Sequence, residues 1–227
     1  MGDPAAIDEQ GFTLVSAAFS AEQCAALARS LPRPVRSGQW RQAGARLRFS
    51  AMPLLAAFAA SPGMRALIEP LIGAAAFAVR AVLFDKDAEV NWQVPWHRDR
   101  AIAVRRRIDL LDFGPWSVKD GVAHVEPPRA ILAAMLAVRC HLDDCDADSG
   151  PLRVIPSSHR DQDLTAGVGG RQDVVCLAPR GSALRMRPQL LHASSPVRAW
   201  RRRRVLHLEF AAADLPGGLQ WNERMPP

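Results

Sequence analysis

From Phe77 onward the apolar residues fall in short runs: Phe77–Phe84, Asn91–Trp96, Met135–Leu142, Leu152–Ile155, Val174–Leu177, Ala183–Met186 and Val205–Phe210. Turn formers separate them, among them Asp146-Ala-Asp-Ser-Gly-Pro151 and Pro179-Arg-Gly181. Runs too short for helices and bounded by Gly, Pro, Asp and Ser predict β-strands. The N-terminal third has a different grammar. Ser20-Ala-Glu-Gln23 is a capping box opening a helix over Ala21–Leu31 that Pro32 stops. Ser61-Pro62 repeats the device, with Ser as N-cap and Pro in the first turn, and Gly73 closes that second helix. Between the two, the polar stretch Gln39–Ser50 reads as loop or edge strand. The pattern predicts a mainly β fold with a helical buttress, either a β-sandwich or a jelly roll. One domain is expected over 1–227, helical over about 1–75 and a barrel over about 76–212. Asp109–Arg129, rich in Pro, Gly and Trp, is the expected functional loop or lid.

Composition narrows the classes. With 48% hydrophobic residues the 227-residue chain can bury a full core, and no apolar run approaches a membrane span. The acidic start lacks an apolar signal core, which predicts a cytoplasmic protein. Cys24, Cys140, Cys145 and Cys176 form no Cys-x-x-Cys pair and are expected as reduced thiols. The formal charge of +6 raises nucleic acid as a partner. Yet the cations are nearly all arginine and spread along the chain, with Lys86 and Lys119 the only lysines. The exceptions, Arg105–Arg107 and Arg201–Arg204, read as solvated charge. The expected partner is a small molecule, with neither nucleic acid nor membrane; nothing bears on oligomeric state.

Chemistry enters at Val94-Pro-Trp-His-Arg-Asp99. His97 and Asp99, two residues apart, share a face if the chain is extended there. With a second histidine they would make a 2-His-1-carboxylate facial triad, the ligand set of non-haem Fe(II) oxygenases. His141-Leu142-Asp143 has the same spacing, and His124, His159, His192 and His207 remain as third ligands. The residues alone leave this choice open.

Four segments carry a resemblance over about Ile7 to Phe210: Glu9-Gln-Gly-Phe-Thr-Leu-Val15, Asn91-Trp-Gln-Val-Pro-Trp-His-Arg-Asp99, Gly150-Pro-Leu-Arg-Val-Ile-Pro-Ser-Ser-His-Arg160 and Leu191-His-Ala-Ser-Ser195. In that order the chain resembles the phytanoyl-coenzyme A dioxygenase family of Fe(II)- and 2-oxoglutarate-dependent oxygenases. The resemblance implies a double-stranded β-helix, a cupin-like jelly-roll barrel. It implies His97, Asp99 and His192 as metal ligands and catalytic centre, with His141 and His159 either structural or backing the ligands. It also implies Arg203, eleven residues after the distal histidine, gripping the far carboxylate of 2-oxoglutarate, although Arg201–Arg204 satisfies almost any offset. A planar fork of donors suits that carboxylate. If Val205–Phe210 is a strand, Arg203 shares a face with Val205 and His207, and Arg204 with Leu206 and Leu208. Ser194, Trp116 and Arg46 match further co-substrate positions.

The chain departs from the family pattern at Arg98, Ser149 and Ser157, where glutamine, asparagine and glycine are usual; none is a metal ligand. By strand alternation Arg98 points away from the metal. The implied activity is a dioxygenase that uses Fe(II), 2-oxoglutarate and O2 to hydroxylate a small organic substrate, releasing succinate and CO2. The alternative is a cupin-like metal-binding barrel without redox activity. Trp92, Trp96, Phe113, Trp116 and the 114–119 loop are candidates for the substrate wall, with core packing equally open for each ring.

Overall fold

A computed structural model describes residues 4–32, 44–87, 91–163, 165–198 and 202–226. Residues 39–43 of the expected loop or edge strand, and Arg201, lie outside the described residues. Among the described residues thirteen strands form three antiparallel sheets. The larger sheet contains β1 (Phe12–Val15), β2 (Ala45–Leu47), β3 (Phe77–Lys86), β8 (Leu136–His141), β11 (Ala183–Met186) and β13 (Arg203–Ala211), in the order β1-β11-β8-β13-β3-β2. Opposite it lies β10-β9-β12-β4, built from β4 (Val94–His97), β9 (Leu152–Val154), β10 (Val174–Cys176) and β12 (His192–Ser194). A small third sheet, β5-β7-β6, comprises β5 (Ile102–Val104), β6 (Trp116–Lys119) and β7 (Val122–Val125). This is the jelly roll that the short apolar runs predict. All seven predicted strands are present, most with ends within one or two residues of the expected ones; β4 begins three residues later, at Val94.

The helices form where their caps dictate. In α2 (Ala21–Ser30) the Ser20 Oγ accepts from the Gln23 amide at 3.1 Å, and Gln23 Oε1 accepts from the Ser20 amide at 2.8 Å. In α4 (Pro62–Ile72) Ser61 Oγ accepts from the Met64 amide, and Gly73 ends the helix at φ +90°. Three further helices are α1 (Pro4–Gln10), α3 (Pro53–Ala59) and α5 (Arg129–Ala133). The N-terminal part is not helical throughout: β1 and β2 lie within it, pairing with β11 and β3. Ala45–Leu47 is thus the edge strand that the polar stretch allowed. No single helix among the described residues is long and apolar enough to cross a membrane.

Strand alternation sorts the large sheet into two faces. Ala81 and Leu83 of β3, Val138 and Cys140 of β8, and Leu206 and Leu208 of β13 join Leu27, Leu55, Phe58, Met64 and Ile68 of the helices in one apolar cluster. At about 25 cal/mol per Å2 of apolar surface, burying each such side chain contributes about 1.5–3 kcal/mol. The opposite parity on the same strands carries Arg80, Val82, Phe84 and Lys86, then Arg139, then Arg203, His207 and Glu209, and all of these line one cavity. The buttress therefore orients the chemistry: the apolar positions face the helices and their polar neighbours face inward.

Gly150 locks the loop before β9 against the segment after β12. Its φ is +63°, and a Cβ there would collide with the Ser195 carbonyl oxygen. Gly150→Ala is expected to destabilise by more than about 1 kcal/mol, read as a fall in thermal midpoint; an unchanged midpoint would show that the loop is not held there.

Candidate metal centre and co-substrate cavity

β4 and β12 pair so that His97 and His192 are direct cross-strand partners. Their rings lie 4.2 Å apart between centroids. Asp99 follows β4, and its amide donates to the Pro188 carbonyl at 2.9 Å, which turns the carboxylate back toward both rings. Its two oxygens stand 3.8 Å from His97 Nε2 and 3.8 Å from His192 Nε2. One donor atom from each of the three side chains lies within 4.8 Å of the others. Among the described residues no other trio of His, Cys, Asp or Glu does this. His141, the rival at the same spacing, is buried on β8 and is not part of this group.

Each imidazole is fixed by a backbone carbonyl. His97 Nδ1 bonds the Pro95 oxygen at 2.9 Å and His192 Nδ1 the Leu190 oxygen at 2.8 Å. A carbonyl accepts only, so each Nδ1 carries the proton and each Nε2 presents a lone pair inward. Burial opposes ionisation of Asp99, but His192, His207, His97 and Arg80 outweigh it and hold the carboxyl at about 2. Burial lowers His192 to about 4. At neutral pH the set is one carboxylate facing a neutral imidazole of His192, and this donor chemistry fits a divalent transition metal.

A cavity of about 370 Å3 opens on the group. Arg203, Ser194 and Arg46 line it. Arg203 is 2% exposed, and its Nε has no hydrogen-bond partner. Arg204 points to the other face, where it is bound by both oxygens of Asp143 at 2.7 and 2.8 Å. Arg46 reaches the cavity from β2, held by His124 Nε2, whose Nδ1 in turn bonds the Val122 carbonyl.

Trp116 is a correction. It does not line the cavity but packs in the apolar cluster of Phe77, Ile102 and Trp221, with Arg107 across its ring. Nor do Trp92, Trp96 or Phe113 line it: Lys86 covers Trp92, Arg153 covers Trp96, and Phe113 joins the Trp116 cluster. The expected lid over Asp109–Arg129 contains instead the β6–β7 hairpin, stitched to β5. At its turn Asp120 and Gly121 both have positive φ, the geometry an Asp-Gly pair favours. Lys119 and Asp120 bring the tip to the cavity wall.

Arg98 points away from the metal ligands, as expected, but it is buried rather than solvated. Its guanidinium bonds Asp161 at 2.6 Å and the Ser158 and Ala166 carbonyls, tying down the loop after β9. Ser157 occupies its glycine-type position at φ +62°, with its hydroxyl donating to the Glu9 carbonyl at 2.9 Å.

A jelly-roll barrel with two imidazoles and a carboxylate converging beside a buried arginine that has no carboxylate partner is the architecture of the non-haem 2-oxoglutarate enzymes. The chain belongs to the phytanoyl-CoA dioxygenase family, whose profile matches residues 7–205. Its fold is similar to that of the non-heme alpha ketoglutarate dependent epimerase SnoN from nogalamycin biosynthesis, with a TM-score of 0.69 at 17% identity over 98% of this chain and 86% of that one. HygX from Streptomyces hygroscopicus, with nickel and 2-oxoglutarate bound, gives 0.63 at 15% identity over 90% and 84%. EctD from S. alaskensis in its apoform gives 0.67 at 18% identity over 92% and 75%. No curated protein matches the chain by sequence.

Proposed function

We propose that the protein is an Fe(II)- and 2-oxoglutarate-dependent dioxygenase that hydroxylates a small organic substrate. The observation that carries this reading is the convergence of His97, Asp99 and His192 on one point in a cavity whose inner wall holds Arg203 with an unpartnered Nε. Three protein ligands on one face leave positions open for co-substrate and O2. When bound, the iron would supply oxidative decarboxylation of 2-oxoglutarate to succinate and CO2 and an oxidant strong enough to take hydrogen from a C–H bond.

The chain's own residues hold, orient and exclude. His97 and His192 would offer Nε2 because the Pro95 and Leu190 carbonyls keep the proton on Nδ1. Arg203, with Ser194 beside it in the cavity, would grip the far carboxylate of 2-oxoglutarate, and burial makes that pairing stronger than at a surface. Val82, Phe84, Val94 and Leu152 give the cavity its apolar wall and keep water from the reacting atoms. Arg46 from β2 and Lys119 and Asp120 from the β6–β7 turn line the same cavity and would meet the substrate there. A cupin that bound only a metal would have no use for an uncompensated arginine in its wall, which favours the co-substrate reading. The expected result is succinate formed from 2-oxoglutarate under air with Fe(II), and an acceptor product heavier by one oxygen that carries label from 18O2. Succinate with an unlabelled product of unchanged mass would keep the co-substrate and replace hydroxylation with stereoinversion or ring closure.

A further inference from the structure

Lys86 and Arg139 are the buried cations at this cavity that the reading above leaves without a task. Lys86 is cross-strand partner of Arg203 at one end of the β3–β13 ladder, and Arg139 stands on β8 opposite His207. All three side chains are buried and line the cavity. Among the described residues no carboxylate forms an ion pair with any of them. Asp99 acts on Arg139 across the cavity, but no carboxylate among the described residues acts on Lys86 or Arg203; a charge buried without a counter-charge is costly, so this pair calls for an anion that the chain does not supply.

The surroundings of Lys86 can be named element by element. Its Nζ donates to Ser194 Oγ at 3.1 Å and to the Ser195 carbonyl at 3.0 Å, both from β12 and the residue after it. Trp92 offers its ring at 5.0 Å from the segment before β4. Arg203 faces it from β13, Arg139 from β8, and the Cys145 thiol from the loop after β8. The last of these is hydrogen-bonded to Arg203. Asp85, the preceding residue, points to the other face and accepts from Nε and Nη2 of Arg202. Burial, then the charges of Arg203 and Arg139, bring the Lys86 ammonium down to about 7.

We propose that Lys86 is a co-substrate-binding residue: with Arg203 it holds the far carboxylate of 2-oxoglutarate, and binding draws a proton onto its amine. This rests on the dioxygenase reading. The amine and the guanidinium share one end of a ladder, and the Lys86 ammonium already donates to the Ser194 hydroxyl that lines the same wall. An arriving carboxylate replaces the missing counter-charge and favours the protonated amine. The sign follows. Below pH about 7 the ammonium is already formed and affinity is level; above it each binding event must recruit a proton, and affinity falls. The proton comes from solvent and returns there on release.

The test is calorimetric titration of 2-oxoglutarate into the Fe(II)-loaded protein under argon, from about pH 6 to about pH 9, in buffers of different ionisation enthalpy. The dissociation constant of the wild type is expected to rise toward about tenfold per pH unit above neutrality, with net proton uptake. Lys86→Arg, permanently charged, is expected to bind without that slope. Lys86→Met is expected to bind more weakly at low pH, with no slope and no proton uptake. A wild-type affinity that is flat with pH, or a slope that persists in Lys86→Arg, overturns the proposal while leaving the dioxygenase reading intact. Failure of the wild type to bind 2-oxoglutarate at any pH overturns the dioxygenase reading itself, and this inference with it.

Discussion

Arg203→Leu is expected to weaken 2-oxoglutarate binding by about thirtyfold to several thousandfold while leaving the unliganded protein as stable as before, or more so. Truncating one partner of a buried charge pair costs about 2–5 kcal/mol of binding, and each 1.4 kcal/mol is about tenfold in affinity. In the unliganded chain the same guanidinium has no carboxylate partner among the described residues and sits beside Lys86 and Arg139. Replacing an uncompensated buried charge by an apolar group of similar size relieves a cost. The two effects have opposite signs, and a thermal melt with and without 2-oxoglutarate measures both. Arg204→Ala is the control. Its guanidinium belongs to Asp143 on the other face, so affinity should be unchanged and stability should fall by about 1 kcal/mol at most, the pair being partly exposed. Equal losses of affinity in both variants would move the carboxylate grip away from Arg203.

Asp99→Ala is expected to remove the metal. Substituting the groups that merely orient a ligand costs about 10–100-fold in metal affinity, so deleting the carboxylate that faces both Nε2 atoms should exceed about 100-fold. After anaerobic reconstitution and desalting, the variant should carry no stoichiometric iron and form no succinate. His192→Ala should behave alike, since His192 Nε2 is 3.8 Å from the same carboxylate. Asp143→Ala, at the rival spacing, should keep its iron. Full metal loading of Asp99→Ala would place the metal elsewhere.

The architecture was legible wherever strand alternation was strong. The apolar face of β13, with Leu206 and Leu208 against the helices, follows from a two-residue period and also assigns Arg203 and Arg204 to opposite faces before any coordinates. What escaped has particular reasons. β12 is three residues long and its ends are set by pairing with β4 and β9, so His-Ala-Ser has no local pattern of its own. The β6–β7 hairpin announced itself in Asp120-Gly121, a two-residue turn signal within a segment that otherwise reads as loop. Trp116 was misplaced because a fixed offset from a ligand does not say which way a ring faces, and pairing with Val125 carries it to the Ile102 cluster. Lys86 and Arg139 were readable in principle. A charge on the inward parity of a strand whose neighbours are nearly all buried is a charge kept inside for something.

The pairing of β4 with β12 is not regular: His192 lies opposite His97, while Ser194 lies opposite Val94. β4 therefore carries one extra residue across this short ladder, a bulge that includes Pro95, which has no amide proton to lose and whose carbonyl oxygen accepts from the His97 ring. Regular pairing of the same residues would leave Val94 and His97, three apart, on opposite faces, so the bulge is what lets both line the cavity. A descendant of this chain can thus become catalytically silent with positions 97, 99 and 192 all spelled as before. Counting ligands in an alignment is for that reason a poorer guide to activity than the kink in the strand that presents the first of them.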